Sequence, residues 1–206
     1  MFYEPPDRDR SLLPHDPLKA IVAPRPIGWI STIAPTGVAN LAPYSFFNMF
    51  SENPWIVGFS SGTLKDSINN IIETGEFVYN LATLALLEQV NQSSVSAPPE
   101  VDEFVFAGIE PAPSRKVRPP RVAASPCAFE CKWIETINLK GLSGKPANWY
   151  LVLGEVVGVY IDDAILEDGV LDVAKMQTLA RCGYMDYTAV QELTSRQRPS
   201  WPTSPQ

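Results

Sequence analysis

Twenty prolines, spread along 206 residues, are the feature that most limits how this chain can fold. Proline lacks the backbone N–H that a helix interior needs, and its ring clashes with the preceding turn, so strands and loops are favoured over long helices. The length suffices for one domain with a substantial core. We predict a single domain over residues 1–195, with an irregular N-terminal arm at 1–18 and a disordered tail at 196–206.

Alternating apolar residues predict the strands of a β-rich fold. A hairpin is expected from Ala20 to Asn48, with strands at 20–34 and 38–48 joined by a short loop that contains Thr36 and Gly37. Further strands are predicted at 55–60, 76–81, 127–137 and 149–161. The last of these is apolar on both faces, which is typical of a central strand in a covered sheet or of a subunit interface.

Helices are expected to be few. The clearest covers 63–74, where Thr63 and Asp66 fit a capping pattern, isoleucines fall on one face and Gly75 marks the end. Shorter helices are predicted at 83–90, 101–108 and 172–179, an irregular connection at 111–126, a flexible crossing at 140–146, and a final strand or turn at 181–187.

Composition narrows the possible functions. A net charge of −7 argues against a nucleic-acid-binding surface, and no apolar run is long enough for a membrane span. The N-terminus lacks the features of a secretory signal, so we expect a cytoplasmic protein. Three cysteines predict reduced thiols, and Cys127 and Cys131, on one face of a predicted strand, are interpreted as small core residues. Metal or redox chemistry is the alternative, which the distant His15 and the lack of a CxxC pair disfavour. The basic loop at 115–121 is interpreted as solvated, with a phosphate contact as the alternative.

Three polar features point together to an anionic, aromatic ligand. The start of the helix at 63–74 offers free N–H groups for a phosphate, and it could instead be an ordinary capped surface helix. The segment 45–48 combines aromatic rings with hydrogen-bonding groups, although its two phenylalanines could be core residues. Polar groups on the first hairpin need partners, which a heterocycle, the backbone or water could provide. The residues concerned are Ser60, Ser61, Lys65 and Ser67 at the helix, Ser45, Phe46, Phe47 and Asn48 in the segment, and Ser31, Thr32 and Asn40 on the hairpin.

Seven sequence pieces, in order over about 160 residues, resemble the flavin reductase-like family of FMN-binding split barrels. They are PRPIGWIST (24–32), NLAPYSFFN (40–48), KDSINNIIETGEFVYNL (65–81), PPEVDEF (98–104), APSRKVRPPRVAASP (112–126), GEVVGVYIDD (154–163) and RCGYMDY (181–187). The resemblance implies a Greek-key-like antiparallel split β-barrel. It also implies a homodimer with FMN at or near the subunit interface.

The resemblance also implies roles for particular residues. Ser31 and Thr32 would lie beside the isoalloxazine ring. The ring and ribityl chain would be lined by Asn40, Ala42, Ser45, Phe46, Phe47 and Asn48. The phosphate end would be formed by Lys65, Asp66 and Ser67 with Ser60 and Ser61 close by, and further contacts would come from Arg25 and Arg181.

The implied activity is that of an NAD(P)H-dependent flavin reductase, in which a transiently bound nicotinamide reduces FMN and reduced flavin passes to an acceptor or a partner monooxygenase. No catalytic side chain is predicted, because the flavin supplies the chemistry. An FMN carrier without turnover, or an FMN enzyme acting on another small molecule, are the alternatives. The chain departs from the family at Tyr160, where histidine is common, and at Cys182, where leucine is common. A proton-donating histidine is therefore not implied here, although the tyrosine hydroxyl can still hydrogen-bond.

Overall fold

The computed structural model of the protein describes residues 1–201 and confirms a mainly β fold with short helices. The strands are β1 Arg25–Pro26, β2 Gly28–Ile33, β3 Ala39–Tyr44, β4 Phe47–Glu52, β5 Trp55–Gly62, β6 Glu76–Leu81, β7 Pro111–Ala112, β8 Arg121–Val122, β9 Cys127–Lys140, β10 Pro146–Ile161, β11 Leu166–Glu167, β12 Val170–Leu171, β13 Leu179–Arg181 and β14 Tyr187–Ala189. The α-helices are α1 Leu18–Ile21, α2 Asp66–Thr74, α3 Leu87–Gln92, α4 Glu103–Phe106 and α5 Val173–Met176, and 3₁₀ helices occur at Pro5–Asp7, Leu84–Leu86 and Asp163–Ile165.

Seven strands form one antiparallel sheet in the order β3-β2-β6-β9-β10-β5-β4. Its two edge strands, β3 and β4, are consecutive in the chain and are joined only by Ser45 and Phe46. A flat sheet of seven strands would be about 29 Å wide at the usual strand spacing. The link from Tyr44 to Phe47 can span at most about 11 Å. The sheet must therefore roll into a barrel whose two edges meet at residues 45–46, which we call the seam.

Two apolar clusters lie on opposite faces of the rolled sheet. Because successive side chains of a strand point to opposite faces, Ile30 of β2 enters one cluster and its neighbour Trp29 enters the other. The first cluster fills the barrel with Phe59 and Phe77 and receives two isoleucines of α2. The second lies outside the barrel under α3 and α4, and Phe104 belongs to it. The three phenylalanines are fully buried or nearly so, and each helps to close its cluster to water.

Gly154 of β10 lets the ring of Phe77 pack directly against the backbone of β10 inside the barrel. A Cβ at this position would overlap the ring of Phe77, and it would lie 3.2 Å from the carbonyl oxygen of Lys132. Phe77 is fully buried, so its ring has no free space into which it could move. The absence of a side chain at Gly154 is therefore a packing requirement of the barrel core.

The prediction for α2 was correct in its end and wrong in its start. The helix begins at Asp66 with Lys65 as its N-cap residue, not at Thr63. Thr63 has a φ of +78°, a left-handed conformation that a helix cannot contain, and no side chain caps the helix start. Gly75 ends the helix in the left-handed conformation, as expected.

Other boundaries also differ from prediction. The strand predicted at 38–48 is two strands, because the chain crosses the seam at residues 45–46. The helix predicted at 83–90 is a 3₁₀ turn followed by α3, and the helix predicted at 172–179 stops at Met176, since Gln177 is left-handed and Leu179 begins β13. Residues 141–145 form a tight hairpin turn between β9 and β10 instead of a flexible crossing, and the irregular connection at 111–126 contains the β7–β8 pair. Of the predicted disordered tail, residues 196–201 are in no helix or strand and 202–206 lie outside the described residues.

Glu76, at the start of β6, joins two basic side chains to the barrel. Its Oε1 accepts a hydrogen bond from Lys132 Nζ at 2.5 Å, and its Oε2 accepts from the backbone N–H and Nε of Arg118 at 2.9 and 3.2 Å. Burial acts to raise the pKa of Glu76, but the hydrogen bonds from Lys132 and Arg118 outweigh it and hold the pKa below the usual 4.5. The basic loop predicted to be solvated is thus partly held by this carboxylate.

Replacing Glu76 by glutamine should lower the free energy of unfolding by about 1 kcal/mol at pH 7, since the two basic partners are half exposed and screened by solvent. A lowered pKa in the folded state stabilises the protein above the unfolded-state pKa, and this contribution disappears as the pH falls through the folded-state value. The difference between wild type and variant should therefore shrink below pH 4.5. Urea unfolding at several pH values measures it, with Glu167→Gln as the exposed control. An equal difference at neutral and acidic pH would contradict the assignment.

Candidate functional site

A groove of three adjoining clefts runs along β3, the seam and β4. The apolar cleft, of about 760 Å³, includes Val22, Phe46, Phe47, Phe50 and Leu151. The basic cleft, of about 330 Å³, shares Lys19, Arg25 and Ser45 with the apolar cleft. The polar cleft, of about 280 Å³, shares Pro43 and Ser94 with the basic cleft and reaches the start of α2. Neighbouring clefts thus share lining residues, and we call the three together the groove. The apolar and basic clefts each have a volume within the range that proteins use for small ligands.

The polar cleft contains the start of α2. Lys65, Asp66 and Ser67 line it together with Asn40 and Ala42, so five of the predicted flavin-site residues lie here. Helix α2 has nine residues, and the N–H groups of its first turn carry the positive end of the helix dipole. Lys65 is exposed at this end. An ammonium group beside free N–H groups is suited to an oxyanion.

A buried hydrogen-bond network centred on Asn40 supports this cleft. Ser67 Oγ and Thr32 Oγ1 donate to Asn40 Oδ1 at 2.7 and 3.3 Å, and Asn40 Nδ2 donates to Glu103 Oε2 at 2.9 Å. Glu103 Oε2 also accepts from the backbone N–H of Leu41 at 3.1 Å. Every polar atom of the Asn40 side chain is therefore engaged within the protein.

Two ionisable groups beside this network have shifted pKa values. Burial raises the pKa of Glu103, and the hydrogen bonds from Asn40 and Leu41 offset only part of this effect. Burial likewise raises the pKa of Tyr44 to about 12, so its hydroxyl is neutral at physiological pH. The two shifts have the same cause, because burial disfavours the charged form of each group.

The seam and the start of β4 line the apolar and basic clefts. Ser45 lies in both clefts, whereas Phe46, Phe47 and Asn48 line the apolar one. Phe47 stacks on Tyr79 with ring centroids 4.6 Å apart, while Phe46 is 44% exposed. Ser60 also lines this cleft, and its Oγ accepts a hydrogen bond from Trp149 Nε1 at 3.0 Å. This part of the groove can take a flat apolar group with polar edges.

Arg25 and Arg181 both line the basic cleft. The guanidinium of Arg181 lies over the ring of Tyr187, with its carbon 4.3 Å from the ring centroid, and Nη2 donates to the carbonyl of Tyr184 at 2.9 Å. The two arginines come from β1 and β13, which pair with each other in antiparallel register so that Arg25 lies opposite Arg181. Two residues far apart in the chain thus meet at one cleft because of this strand pairing.

Three predicted site residues do not line the groove. Ser31 and Thr32 are fully buried and point to opposite faces of β2, so their hydroxyls do not reach one common surface. Ser31 Oγ donates to the carbonyl of Pro120 at 2.6 Å and accepts from Asn80 Nδ2 at 3.1 Å. Its hydrogen bonds are therefore made within the protein, which is the alternative to a contact with a heterocycle. Ser61 is also buried. Direct flavin contacts by these three residues stay predictions.

Several groove residues were missed by sequence reasoning. Glu103 and Ser94 reach the polar cleft from α4 and from the segment after α3, and Lys19 and Tyr184 reach the basic cleft from the arm side and the C-terminal loop. Glu103 lies in the PPEVDEF piece, whose acidic residue before an apolar helix could have indicated a buried carboxylate. No local pattern marks the other residues, since they meet the groove only through tertiary packing.

Tyr160 does not line the groove. It lines a separate cavity of about 610 Å³, where the guanidinium carbon of Arg121 lies 3.6 Å from its ring centroid. Cys182, the other departure from the family, contributes its backbone carbonyl as an acceptor for Arg25 Nη2 at 2.9 Å. Cys127 and Cys131 are buried free thiols, as predicted, and burial raises the pKa of both.

Neither a metal site nor a membrane-spanning helix is found in the part of the chain that the structure describes. Within residues 1–201, no cluster of histidine, cysteine, aspartate or glutamate has the arrangement needed to hold a metal ion. None of the helices in that range has the length and apolar character required to span a membrane.

A family model, a sequence relative and a solved structure all match most of this chain. The model of a family described as the flavin reductase like domain matches residues 22–179. An uncharacterized protein of Halalkalibacterium halodurans is 36% identical over 184 residues, which cover 87% of this chain and 88% of that protein. The structure of nitrilotriacetate monooxygenase component B from Bacillus cereus is similar with a TM-score of 0.85 and 26% identity, covering 95% of this chain and 98% of the other.

A second solved structure shows the same fold at lower identity. The 2-nitrobenzoate 2-nitroreductase of Pseudomonas fluorescens has a TM-score of 0.84 at 24% identity and covers 99% of both chains. The family match extends from just before β1 to the first residue of β13 and so includes the whole rolled sheet. The barrel, its seam and the groove beside it are therefore those of a chain that belongs to the flavin reductase-like domain family.

Proposed function

We propose that this protein binds FMN in the groove and acts as an NAD(P)H-dependent flavin reductase-like oxidoreductase. One observation carries the proposal: twelve of the fifteen residues predicted from the family resemblance line the three adjoining clefts, although they come from five separate stretches of sequence. Family membership supports the same cofactor, and the name of the similar component B structure connects this fold to a monooxygenase.

The phosphate of FMN would bind in the polar cleft. Lys65 would supply a positive charge and the first turn of α2 its free N–H groups, whereas the hydroxyl proton of Ser67 is already donated to Asn40 Oδ1. Asn40 would act indirectly, because both ends of its amide are held by Ser67 and Glu103. In this arrangement the network keeps Ser67 and α2 in position against the β3 edge.

The ring system would lie nearer the seam. Phe46 and Phe47 offer apolar surface there, and Ser45 and Asn48 offer hydrogen-bonding groups for the polar edge of a heterocycle. Bound flavin supplies the redox chemistry, and the side chains bind it, orient it and restrict its access to water. The nicotinamide donor would bind transiently beside the ring, and reduced flavin would serve an acceptor or a partner monooxygenase.

Anaerobic reduction tests this activity. The protein saturated with FMN should lose the long-wavelength flavin absorbance when NADH or NADPH is added, at a rate well above that of free FMN with the same donor. Absence of bleaching by either donor, with FMN bound, would leave the protein as a flavin carrier or electron-transfer module. Failure to bind FMN at all would overturn the proposed cofactor.

Replacing Lys65 by glutamine should weaken FMN binding by about 10-fold to 100-fold, which corresponds to about 1.5–3 kcal/mol for a charge-assisted contact with the phosphate. The measurement is a fluorescence titration of FMN with wild type and variant. Lys140→Gln removes an exposed charge at the far end of the β9–β10 hairpin and serves as the matched control. An unchanged affinity for Lys65→Gln would show that the phosphate does not bind at α2.

We also propose that the protein is a homodimer, on the basis of apolar side chains left uncovered on the barrel. On β10, Val157, Val159 and Ile161 are 36%, 59% and 37% exposed, and Phe50 and Trp55 of the β4–β5 hairpin are 55% and 50% exposed. Uncovered β-branched and aromatic residues of this density are typical of an interface. The cytoplasmic location and the single domain over 1–195 stay predictions.

Light scattering should therefore report a dimer for wild type. Val159→Asp should give a monomer, because a carboxylate would be buried against the second copy. Val170→Asp, at a residue of β12 that is 68% exposed, should remain dimeric. A monomeric wild-type protein would contradict the proposal.

A further inference from the structure

The basic cleft contains positive charge without any carboxylate to balance it. Its lining includes Lys19, Arg25 and Arg181 and no aspartate or glutamate. Within residues 1–201, the ion pairs involve Arg8, Arg118 and Lys132, and none involves these three cations. This concentration of unbalanced positive charge occurs in a chain whose net charge is −7.

The unbalanced positive charge of Arg25 costs free energy, because this residue is only 7% exposed. Its guanidinium donates to the carbonyls of Val22 at 2.8 Å and Cys182 at 2.9 Å, and also to that of Lys19. These acceptors are neutral, and the buried Nε has no hydrogen-bond partner within residues 1–201. Buried charges in proteins are normally paired, since removing an ion from water costs several kcal/mol. An anion in the cleft would supply the missing counter-charge.

Arg181 and Lys19 are placed to contact such an anion. Only Nη2 of Arg181 makes a hydrogen bond in the described part of the chain, to a backbone carbonyl, so further guanidinium N–H groups can donate to a ligand. Stacking on Tyr187 fixes the plane of this guanidinium. Lys19 is exposed at the mouth of the cleft and can follow a ligand as it enters. A planar guanidinium held in this way is suited to bidentate recognition of a carboxylate or phosphate.

The position of the cleft indicates which molecule would carry the anion. Arg25, Lys19 and Ser45 line both the basic and the apolar cleft, so a bound oxyanion would lie directly beside the surface assigned above to the flavin ring. With its phosphate at α2 and its ring beside Phe46 and Phe47, FMN would pass the basic cleft with its uncharged ribityl chain, so it would not supply the counter-charge for this cleft. Tyr184 and Met185 add exposed apolar surface at the rim, 52% and 81% exposed, against which an aromatic body can lie.

We propose that the basic cleft binds the anionic group of the molecule that exchanges electrons with the flavin, and so selects carboxylate-bearing or phosphate-bearing substrates over neutral molecules of the same shape. This inference rests on the proposed FMN function. It assigns Arg25 the role of a buried positive charge and Arg181 and Lys19 the role of direct contacts with the second substrate. The resemblance, by contrast, implied contacts between these arginines and FMN.

Calorimetric titration of the FMN-saturated protein tests the proposal with three probes: benzoate, the neutral analogue benzamide, and inorganic phosphate. We expect at least one of the two anions to bind wild type more tightly than benzamide. Arg181→Gln and Lys19→Gln should each lower the affinity for that anion, by about tenfold or more in the case of Arg181→Gln, and should leave the affinity for benzamide unchanged. The Lys140→Gln control should behave as wild type. Benzoate binding would identify a carboxylate substrate, and phosphate binding a phosphate-bearing one.

The FMN affinity of the same variants separates this proposal from the one on which it rests. Arg181→Gln should lower the affinity for the anionic probe and leave the affinity for FMN unchanged. Lys65→Gln should lower the affinity for FMN and leave the affinity for the probe unchanged. The proposal is overturned if neither anion binds more tightly than benzamide. It is also overturned if Arg181→Gln lowers the affinity for FMN but not the affinity for the anionic probe. If wild type does not bind FMN, the proposed function fails, and the anion titration of the protein alone still reports whether the basic cleft discriminates by charge.

Discussion

Replacing Asn40 by leucine should lower the free energy of unfolding by about 3–5 kcal/mol, although the two side chains are similar in size. The amide of Asn40 accepts hydrogen bonds from Ser67 and Thr32 and donates one to Glu103, all in the interior. Leucine would leave three buried polar groups without this partner. Each such group costs about 1–3 kcal/mol, and a carboxylate lies at the upper end of that range.

Urea unfolding followed by tryptophan fluorescence measures this effect, with Asn69→Leu as the matched control. Asn69 is on the exposed side of α2, and its one side-chain hydrogen bond within residues 1–201, to the carbonyl of Leu64, is long at 3.4 Å. Its replacement should change the stability by less than about 0.5 kcal/mol. Equal effects of the two substitutions would show that the network contributes little. FMN affinity of the Asn40 variant should also fall, because Ser67 loses the acceptor that orients it.

Replacing Gly154 by alanine should cost about 3 kcal/mol or more, at or above the upper end of the usual range for an overpacked core. A single methyl group would overlap the fully buried ring of Phe77, and β10 cannot shift away because it is paired with β5 on one side and β9 on the other. The effect would be propagated to Phe59, which packs edge-to-face on Phe77 with centroids 6.1 Å apart.

Gly141→Ala is the control for this substitution. Gly141 lies in the β9–β10 turn, where a new methyl group would meet no described atom within 4 Å, and its backbone is not left-handed. Thermal unfolding of the two variants should therefore differ by several degrees or more, the shift expected for a few kcal/mol in a protein of this size. If Gly154→Ala and Gly141→Ala unfolded at the same temperature, the core would be less tightly packed around Phe77 than the structure shows.

Local patterns predicted the parts of the fold that depend on local chemistry. The strand that begins at Cys127 and the end of α2 at Gly75 follow from alternation and from the left-handed preference of glycine. The start of α2 could not be read in the same way. Thr63 looks like a capping residue, but the pairing of β5 with β10 carries the chain through Gly62 and places Thr63 in a left-handed turn before the helix can begin.

In the candidate site, too, some residues could be predicted from local sequence, whereas others depend on how the strands pair. Lys65, Ser45 and Asn48 were found because each lies in a short stretch with an unusual mixture of residues, and all three line the groove. Ser31 and Thr32 have a similar appearance in sequence, yet their partners, Asn80 and Asn40, lie on neighbouring strands and bury both hydroxyls. Whether a polar residue in a strand faces a ligand or a neighbouring amide depends on strand pairing, which no local pattern contains.

The seam has a consequence for how the groove can change during evolution. Residues 45–46 are the whole connection between the edge that bears the polar cleft and the edge that bears the apolar cleft. One residue more or fewer at this point would turn every side chain of β4 to the other face of the sheet. The separation between the two ends of a bound ligand is therefore fixed by chain length at the seam. New ligand preferences can arise by substitution along the groove or by changes in the arm and C-terminal loop at its rim.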